Sequence, residues 1–507
     1  MSLLPKLDNG GFYYVLLGCV VTSLYFMVIS RMGTSTSSSE IIYNHVPIKS
    51  YSYDELCGEK RVKNKNLSIS KSSISNSKSN EEETEYEAWD DNEDLSVAFT
   101  CDNVDRTKRL AQRGLFYVIY NFVRAEKEFG CTDSITLSAP GDFRFLDNVI
   151  PLVDRWQGPI SIALYAPGYD FYTTLDSIAY LRNCQSYLIR DLVTFHIVFD
   201  QQYTPKQRTN GTILLDSYKD YYNCSTPPPW KNVLDEDLFK TEKKLLYPIN
   251  VVRNVAKLAS TTYFIFPSDI ELYPSRKFIP KFLQFVKDNI DLFNNKDRNV
   301  FALPIFEILE DQVVPENKNA LIDMLEKETA IIFHQSVCPE CHTVIDSDIW
   351  VKTEETEGLN VFSAGKRTDK YVVWEPFFVC TQQTPLWDER LTWEGQSNKM
   401  VQVFDSENQK KKKFYTTKKF QAYTLCVMNY DFYVLDNAFL IHKPGVKKKK
   451  VQMEKFNDIV KNSTQLMKTI AIELQEIYGY NSNCSTTHLK KKKVRRRPIK
   501  VKAKPII

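Results

Sequence analysis

The stretch TTYFIFPSDIELYPS, residues 261–275, decides the fold class, because a short apolar run in it ends abruptly in charged residues. Asp269 and Glu271 follow this run, and alternate side chains of an extended chain point to the same side. Two converging carboxylates need a counter-charge, for which a hard divalent cation, Mn²⁺ or Mg²⁺, is the natural choice. Ordinary surface carboxylates are the alternative, but they fit poorly at the end of a buried strand. The stretch therefore predicts a strand that ends at a metal site.

Short β-branched runs alternate with helical periodicity on both sides of this stretch. Residues 133–139 and 159–166 are predicted strands, and the apolar residues between them fall on one helical face: Phe145, Val149, Leu152, Val153 and Trp156. Further strands are expected at residues 193–200, 262–269 and 300–306. The pattern predicts an α/β domain with a mainly parallel, Rossmann-like sheet, in which ligands bind beyond the carboxyl ends of the strands.

A helix is expected at residues 248–260, because Pro248 suits the first helical position and apolar residues recur along one face. The other face carries four polar side chains: Asn250, Arg253, Asn254 and Lys257. Solvation is the usual state of such a face. A second interpretation is that this face contacts a ligand, because an acidic strand end lies nearby in the sequence.

The composition divides the chain into five parts. Residues 1–10 form a predicted cytosolic tail, and residues 11–30 are uncharged and span roughly 30 Å as a helix, the thickness of bilayer hydrocarbon. We expect a membrane anchor there rather than a cleaved signal peptide, since no small-residue cleavage site clearly follows. Residues 31–100 are Ser-rich and then acidic, which predicts a disordered stem. A catalytic domain at 101–484 and a basic disordered tail at 485–507 complete the expected organisation.

The positions of cysteines and sequons favour a type II topology with a lumenal head. Of the 11 cysteines, ten follow the apolar stretch, and so do five N-x-Ser/Thr sequons, at Asn66, Asn210, Asn223, Asn462 and Asn483. Both features suit an oxidising compartment in which asparagine is glycosylated.

Two features invite functions that we do not favour. The lysine- and arginine-rich tail suggests nucleic-acid binding, but a lumenal protein would not meet nucleic acid. The formal net charge of +3 says nothing about partners, because acidic and basic residues are concentrated in different stretches of the chain. The Cys338-Pro-Glu-Cys341-His342 cluster suggests zinc, with His334 upstream. Zinc sites normally have a second pair of ligands at recognisable spacing, so disulfides of undetermined pairing are the better interpretation.

Several segments together resemble glycosyltransferase family 49. YPINVVRNVA precedes SDIELYPS, and these further segments occur in the family's order: WQGPISIALYAP, FEILEDQVVPENKNALIDML, CPECHTVIDSDIWV, VVWEPFFV, PLWDERL and NAFLIHKPG. The resemblance covers residues 132–479. It implies a GT-A type fold, in which Asp269 and Glu271 match the D-x-D metal motif, with Glu in place of the second Asp.

The resemblance also implies roles for residues outside the acidic motif. His442 matches the late histidine that completes the metal site. Ser138, Arg253, Asn254 and Lys443 are expected to bind the nucleotide-sugar donor, through a strand end and through groups that suit phosphate or carboxylate.

The base and the acceptor site are less closely defined by the family pattern. An inverting transfer needs a base, for which Asp388 and Glu389 are the candidates. Trp374, Glu375 and Trp393 are expected to contact the acceptor sugar. Their alternatives are core packing for the aromatic rings and an ion pair for the Asp-Glu-Arg sequence.

The branch that this sequence resembles implies a Golgi type II membrane protein that uses Mn²⁺ or Mg²⁺. The implied reaction transfers glucuronic acid from UDP-glucuronic acid in β1,4 linkage to xylose on O-mannosyl glycans of α-dystroglycan. Two alternatives stay open: a β-1,3-N-acetylglucosaminyltransferase that acts on poly-N-acetyllactosamine, and a non-catalytic partner of another glycosyltransferase. Association with such a partner enzyme is also an expectation for the active protein.

Overall fold

The structure is a computed structural model, and it describes residues 93–205, 222–293, 298–335, 338, 340–392, 403–404, 411–412, 417–443 and 457–484. The predicted cytosolic tail, the predicted anchor at 11–30 and the basic tail at 485–507 lie outside these ranges. Across the described ranges, no helix is both long enough and apolar enough to cross a membrane.

The strands are β1 (Arg109–Arg113), β2 (Phe116–Val123), β3 (Ile135–Gly141), β4 (Ile160–Tyr165), β5 (Val193–Asp200), β6 (Phe264–Pro267), β7 (Leu272–Pro274), β8 (Asn299–Leu303), β9 (Ile305–Ile308), β10 (Ala330–Ile332), β11 (Val361–Gly365), β12 (Phe377–Thr381), β13 (Val403–Phe404), β14 (Lys411–Lys412), β15 (Asp431–Leu435) and β16 (Leu440–His442). The α-helices are α1 (Glu93–Ala98), α2 (Val149–Trp156), α3 (Asp170–Cys184), α4 (Tyr187–Leu192), α5 (Phe239–Glu242), α6 (Ile249–Leu258), α7 (Phe278–Asp288), α8 (Lys318–Glu326), α9 (Ser347–Trp350), α10 (Thr417–Val427) and α11 (Asn457–Tyr478).

The main sheet has ten strands in the order β1-β2-β5-β4-β3-β6-β12-β8-β15-β11. Its centre, β5-β4-β3-β6, is parallel, and the β8-β15 pair is parallel as well. The pairs β1-β2, β2-β5, β6-β12, β12-β8 and β15-β11 are antiparallel. The α/β class is confirmed, but the sheet is mixed rather than mainly parallel. Helices connect the parallel strands β3, β4 and β5, whereas the tight turn at Gly114 forces β1 and β2 to run antiparallel.

A second sheet has four strands in the order β10-β9-β16-β7. The chain crosses from the main sheet into it three times, between β6 and β7, between β8 and β9, and between β15 and β16. Residues 300–306, predicted as one strand, are therefore divided at Pro304 between two sheets. Proline lacks the amide hydrogen that a continuous ladder needs, which explains the break there.

The folded domain begins earlier than the predicted boundary at residue 101. Helix α1 lies within the segment assigned to the disordered stem, and Leu95 and Phe99 are buried in the main core. The Phe99 ring packs 4.5 Å from that of Tyr263, centroid to centroid. The prediction missed Leu95 and Phe99 because the segment around them is rich in acidic residues.

The helical face predicted from Phe145 to Trp156 is correct except at its first residue. Phe145 is 37% exposed, whereas Phe143 and Leu146 are buried. The cause is a change of period, because residues 143–148 form a 3-10 helix and α2 begins only at Val149. Three residues per turn place a different set of side chains on the inner face than 3.6 residues do.

The cysteines pair as the disulfide interpretation requires. The bonds are Cys101–Cys131, Cys184–Cys224, Cys338–Cys341 and Cys426–Cys484. The Cys338-Pro-Glu-Cys341 cluster is thus a disulfide and not a zinc site. Among the described cysteines, the thiol of Cys380 alone is free, and its side chain is buried.

Candidate functional site

The acidic motif lies where the chain leaves the main sheet. Strand β6 ends at Pro267, and Asp269 follows in the crossing to β7. The Nη2 atom of Arg253, on α6, donates to Oδ1 of Asp269 at 3.0 Å. The Arg253 side chain is only 5% exposed and that of Asp269 is 29% exposed, so this ion pair is partly shielded from water.

Glu271 and His442 meet on the second sheet. His442 ends β16, and its backbone partner on β7 is Leu272, the residue after Glu271. The Nε2 atom of His442 lies 3.3 Å from Oε1 of Glu271. The His442 side chain is almost fully buried. The structure therefore brings together the two residues that the family pattern assigned to one cation.

The three predicted ligands suit a divalent cation but are not yet arranged around one. In the described part of the chain, no three His, Cys, Asp or Glu side chains are grouped closely enough to hold a metal ion. The contact between Glu271 and His442 has the right length, because two ligands of a six-coordinate ion at about 2.1 Å lie about 3 Å apart. Asp269 is held by Arg253 and would have to share its carboxylate. The donor set thus fits Mn²⁺ or Mg²⁺ after a side-chain rearrangement.

A small pocket opens beside the Arg253–Asp269 pair. Its lining comes from α6, the end of β6, the start of β12, α10 and the loops beside them: Arg253, Pro267, Ser268, Asp269, Pro376, Phe377, Phe378, Trp387, Gln421 and Ala422. The guanidinium of Arg253 lies 5.9 Å from the centre of the Trp387 ring. A cationic group, a carboxylate and an indole ring at the carboxyl end of a central strand suit a phosphorylated sugar ligand.

The polar face of α6 is buried rather than solvated. Asn250, Arg253, Asn254 and Lys257 are each at most 5% exposed. Asn254, expected to bind the donor, bonds instead to the segment that contains Asp388. Its Oδ1 accepts from the Trp387 backbone N–H at 3.0 Å, and its Nδ2 donates to the Trp387 carbonyl at 2.8 Å. Its place beside the pocket is therefore indirect.

Both candidate bases are ion-paired. Nε and Nη2 of Arg390 each donate to the Asp388 carboxylate, and Arg390 also binds Glu473. Oε1 of Glu389 accepts from Nε of Arg113 at 2.6 Å and from Nδ2 of Asn254 at 2.7 Å. The side chains of Asp388 and Glu389 are 21% and 28% exposed, so both are reachable from solvent.

The remaining predicted contact residues occupy varied positions. Ser138 is buried in β3, and its Oγ has no hydrogen-bond partner among the described residues. Lys443 is exposed beside His442. Trp374 is 1% exposed and packs on Phe432, so stacking on a sugar would require its ring to leave the core. Glu375 is buried as well.

Some predicted positions fall outside the described residues. Trp393 is one of these, as are the sequon asparagines Asn66 and Asn210. The other three sequon asparagines, Asn223, Asn462 and Asn483, are exposed. Glycosylation at all five stays a prediction.

Sequence reasoning missed two carboxylates that lie near the predicted metal ligands. Desolvation of the Asp147 carboxyl and the negative charge of Glu271 raise the pKa of Asp147. Glu307 is buried on β9, where its backbone partner is His442, and its Oε1 accepts from the His334 N–H at 3.0 Å. Glu307 lies in the segment FEILEDQVVPENKNALIDML, to which the sequence analysis gave no role, and no quoted motif contains Asp147. Pro304 was the one feature of the sequence that could have indicated the position of Glu307, because the chain crosses there into β9, which lies beside β16.

Comparisons with known proteins show the family to which the chain belongs. The family described as "Glycosyl-transferase for dystroglycan" matches residues 134–479. Beta-1,4-glucuronyltransferase 1 of Mus musculus is 25% identical over 312 residues, which cover 59% of this chain and 66% of that protein. Xylosyl- and glucuronyltransferase LARGE1 of Homo sapiens is 24% identical over 331 residues, covering 65% of this chain and 33% of that protein. The chain thus spans just under two thirds of the length of the mouse relative.

Proposed function

Because the chain belongs to the glycosyl-transferase family for dystroglycan, we propose that it transfers glucuronic acid from UDP-glucuronic acid to a xylose-terminated glycan. The linkage formed would be β1,4 with inversion at the anomeric carbon, and the acceptor an O-mannosyl glycan of a glycoprotein such as α-dystroglycan. The names of the mouse and human relatives, both glucuronyltransferases, support this choice of sugar.

The observation that carries the proposal is the pocket at the end of β6, where Arg253, Asp269 and Trp387 line one space. The guanidinium of Arg253 suits a phosphate oxygen or the carboxylate of glucuronic acid, since both accept charge-assisted hydrogen bonds. The indole ring of Trp387 offers an apolar face to a sugar ring. Asp269 lies in the connection from β6 to β7, where the chain passes to the second sheet.

Asp269, Glu271 and His442 would hold Mn²⁺ or Mg²⁺. A divalent cation bound there would neutralise the diphosphate of the leaving UDP. In the described structure, Arg253 donates a hydrogen bond to the Asp269 carboxylate and His442 contacts that of Glu271, so each acidic side chain already has a polar partner before a cation arrives.

We assign the base to Asp388 rather than to Glu389. Asp388 would take the proton from the acceptor hydroxyl as that oxygen attacks the anomeric carbon. Its partner Arg390 is 48% exposed and is shared with Glu473, so a substrate can displace this contact at small cost. Glu389 is held on one oxygen by both Arg113 and Asn254, which suits a structural anchor better than a proton acceptor.

The setting that we propose is the Golgi lumen, with the chain anchored by residues 11–30 as a type II protein. The four disulfides support an oxidising compartment. Exposed Asn223, Asn462 and Asn483 are available as glycosylation sites. Digestion with an N-glycosidase, read as a mobility shift of the protein from cells, tests this placement.

The deciding experiment uses the full chain, purified in detergent and incubated with Mn²⁺, a β-xyloside and a panel of UDP-sugars. We expect UDP release with UDP-glucuronic acid and its loss on addition of EDTA. Release with UDP-N-acetylglucosamine and a lactosamine acceptor would instead support an N-acetylglucosaminyltransferase. If no donor gave UDP release, the result would favour a non-catalytic partner protein.

A further inference from the structure

Three buried polar side chains of α6 bind the same segment of chain, residues 382–389. Asn250, Asn254 and Lys257 are 1%, 0% and 2% exposed. Burying polar groups is unfavourable unless they form hydrogen bonds, and these do so with backbone carbonyls of the segment. Nδ2 of Asn250 donates to the Asp388 carbonyl at 2.8 Å, and Nζ of Lys257 donates to the Thr384 carbonyl at 2.6 Å.

Asn254 makes the most contacts of the three. Its amide pairs with the backbone of Trp387 in both directions, and Nδ2 also donates to Oε1 of Glu389. Residues 382–389 belong to no strand in the described part of the chain. The hydrogen bonds from Asn254 therefore do for this backbone what a neighbouring strand would do. The backbone of Trp387 is therefore fixed relative to α6.

The two sides of the pocket are thus attached to one helix. Arg253, the residue before Asn254, binds Asp269, while Asn254 binds Trp387, and both Asp269 and Trp387 line the pocket. A shift of residues 382–389 along α6 would change the distance between the indole ring and the acidic motif without any change in the motif itself.

We propose that Asn254 is a positioning residue for sugar transfer, which sets Trp387 and Asp388 against the acidic motif without touching substrate. The inference rests on the proposed function, because Asp388 matters only if a hydroxyl is deprotonated there. A displacement of about 1 Å in a reacting group can lower turnover about 100-fold. We therefore expect Asn254→Ala to lower kcat by about 100-fold.

The chain offers a matched control in Asn437. It is also buried, its Nδ2 donates to the carbonyls of Thr356 and Gly358 at 3.0 Å, and its Oδ1 accepts from the Thr356 N–H. It fixes a loop in the same manner as Asn254, but that loop does not line the pocket. Asn437→Ala therefore reproduces the loss of a buried amide without moving Trp387.

The experiment compares full-length wild type, Asn254→Ala and Asn437→Ala in two assays. The first measures kcat and KM for UDP-glucuronic acid. The second measures acrylamide quenching of Trp387 fluorescence, obtained by subtracting the signal of the same protein carrying Trp387→Phe. The quenching assay needs no substrate, so it reports the position of Trp387 even if the donor has been misassigned.

The proposal expects Asn254→Ala to lose turnover and to expose Trp387 to acrylamide, while Asn437→Ala loses only thermal stability. Equal turnover in the two variants, or unchanged quenching of Trp387 in Asn254→Ala, would overturn it. A wild type that transfers no sugar would instead overturn the proposed function, and with it the role of Asn254 in transfer.

If Asn254→Ala does not fold, Asn250→Ala takes its place. That variant loses a single hydrogen bond, to the Asp388 carbonyl. A kcat below that of Asn437→Ala, with KM for UDP-glucuronic acid unchanged, supports positioning by the α6 face. An unchanged kcat counts against it.

Discussion

Arg253 and Asp269 form an ion pair of 3.0 Å at the end of β6, so the carboxylate that we assign to a cation already has a cationic partner. The pair links a buried helix to the crossing between the two sheets. A cation that binds Asp269 must share the carboxylate with Arg253, and Arg253 is then freed in part to contact the donor. The two residues should therefore differ in how their substitution affects the reaction.

Asp269→Asn should lower transfer by about 100-fold, because a neutral amide oxygen is a poor ligand for a hard cation. Asn keeps an acceptor for Arg253, so the fold should survive. Mn²⁺ titration by calorimetry and UDP release are the measurements. Asp291→Asn, at an exposed position in a 3-10 helix, is the control. Undiminished Mn²⁺-dependent transfer in Asp269→Asn would show that the cation binds elsewhere.

Arg253→Lys should raise KM for UDP-glucuronic acid by about tenfold with a smaller change in kcat, because an ammonium group cannot form the two-pronged contact of guanidinium. Steady-state kinetics over a range of donor concentrations tests this. Exposed Arg298→Lys serves as the control. A loss confined to kcat would place Arg253 in the chemical step instead of in donor binding.

Asp388→Asn should lower kcat by a factor of about 100 or more and leave UDP affinity nearly unchanged, as expected for loss of a general base. Glu389→Gln provides the comparison, because Glu389 contacts Arg113 and Asn254 and should act through the position of its segment. The measurement is kcat beside the Kd of UDP. If UDP binding fell as much as turnover in Asp388→Asn, Asp388 would be a binding residue.

His196 should make the fold sensitive to acid. Burial lowers its pKa to about 3, and its Nδ1 accepts from the Asn121 N–H at 2.8 Å. In the unfolded chain the pKa is about 6.5, so between pH 6.5 and 3 the unfolded state binds more protons than the folded state. Stability should therefore fall as the pH is lowered through this window, by about 1.4 kcal/mol per pH unit from this group.

Urea unfolding of wild type and His196→Asn between pH 7 and about 4 measures this effect. Asn retains an acceptor for the Asn121 N–H but does not titrate. The free energy of unfolding of the variant should depend less steeply on pH, although the variant is less stable at neutral pH. Identical slopes would mean that His196 binds protons to the same extent in the folded and the unfolded state.

The sequence alone predicted correctly those elements whose side chains follow a single periodicity and share one environment along their length. The predicted strands at 133–139, 159–166 and 193–200 are confirmed as β3, β4 and β5, because each is a short, mostly apolar run that is buried along nearly its whole length. The run at 300–306 was not predicted correctly, since its two halves are equally apolar and only Pro304 marks the change of sheet.

The residues of the site that lie in one short motif could be predicted from the sequence. The contacts between segments that are distant in the sequence could not. Asp269 and Glu271 lie two positions apart in the sequence, whereas the contact between Glu271 and His442 depends on the pairing of β7 with β16. The polar face of α6 shows why composition alone was insufficient. The periodicity located its polar side chains, but the partners of Asn250, Asn254 and Lys257 lie more than 120 residues further along the chain.

The three crossings between the sheets have a kinetic consequence for cation exchange. Two of the three crossings carry the proposed ligands. Asp269 and Glu271 lie in the crossing from β6 to β7, and His442 ends β16, the strand that follows the crossing from β15. The backbone spacing of the ligands is therefore set before any ion arrives, and only the side chains must turn. Rotamer changes of exposed side chains take picoseconds to nanoseconds, but His442 is almost fully buried and Asp269 is held by Arg253. Rotation of these side chains, rather than movement of the two sheets, should therefore limit how fast the cation enters.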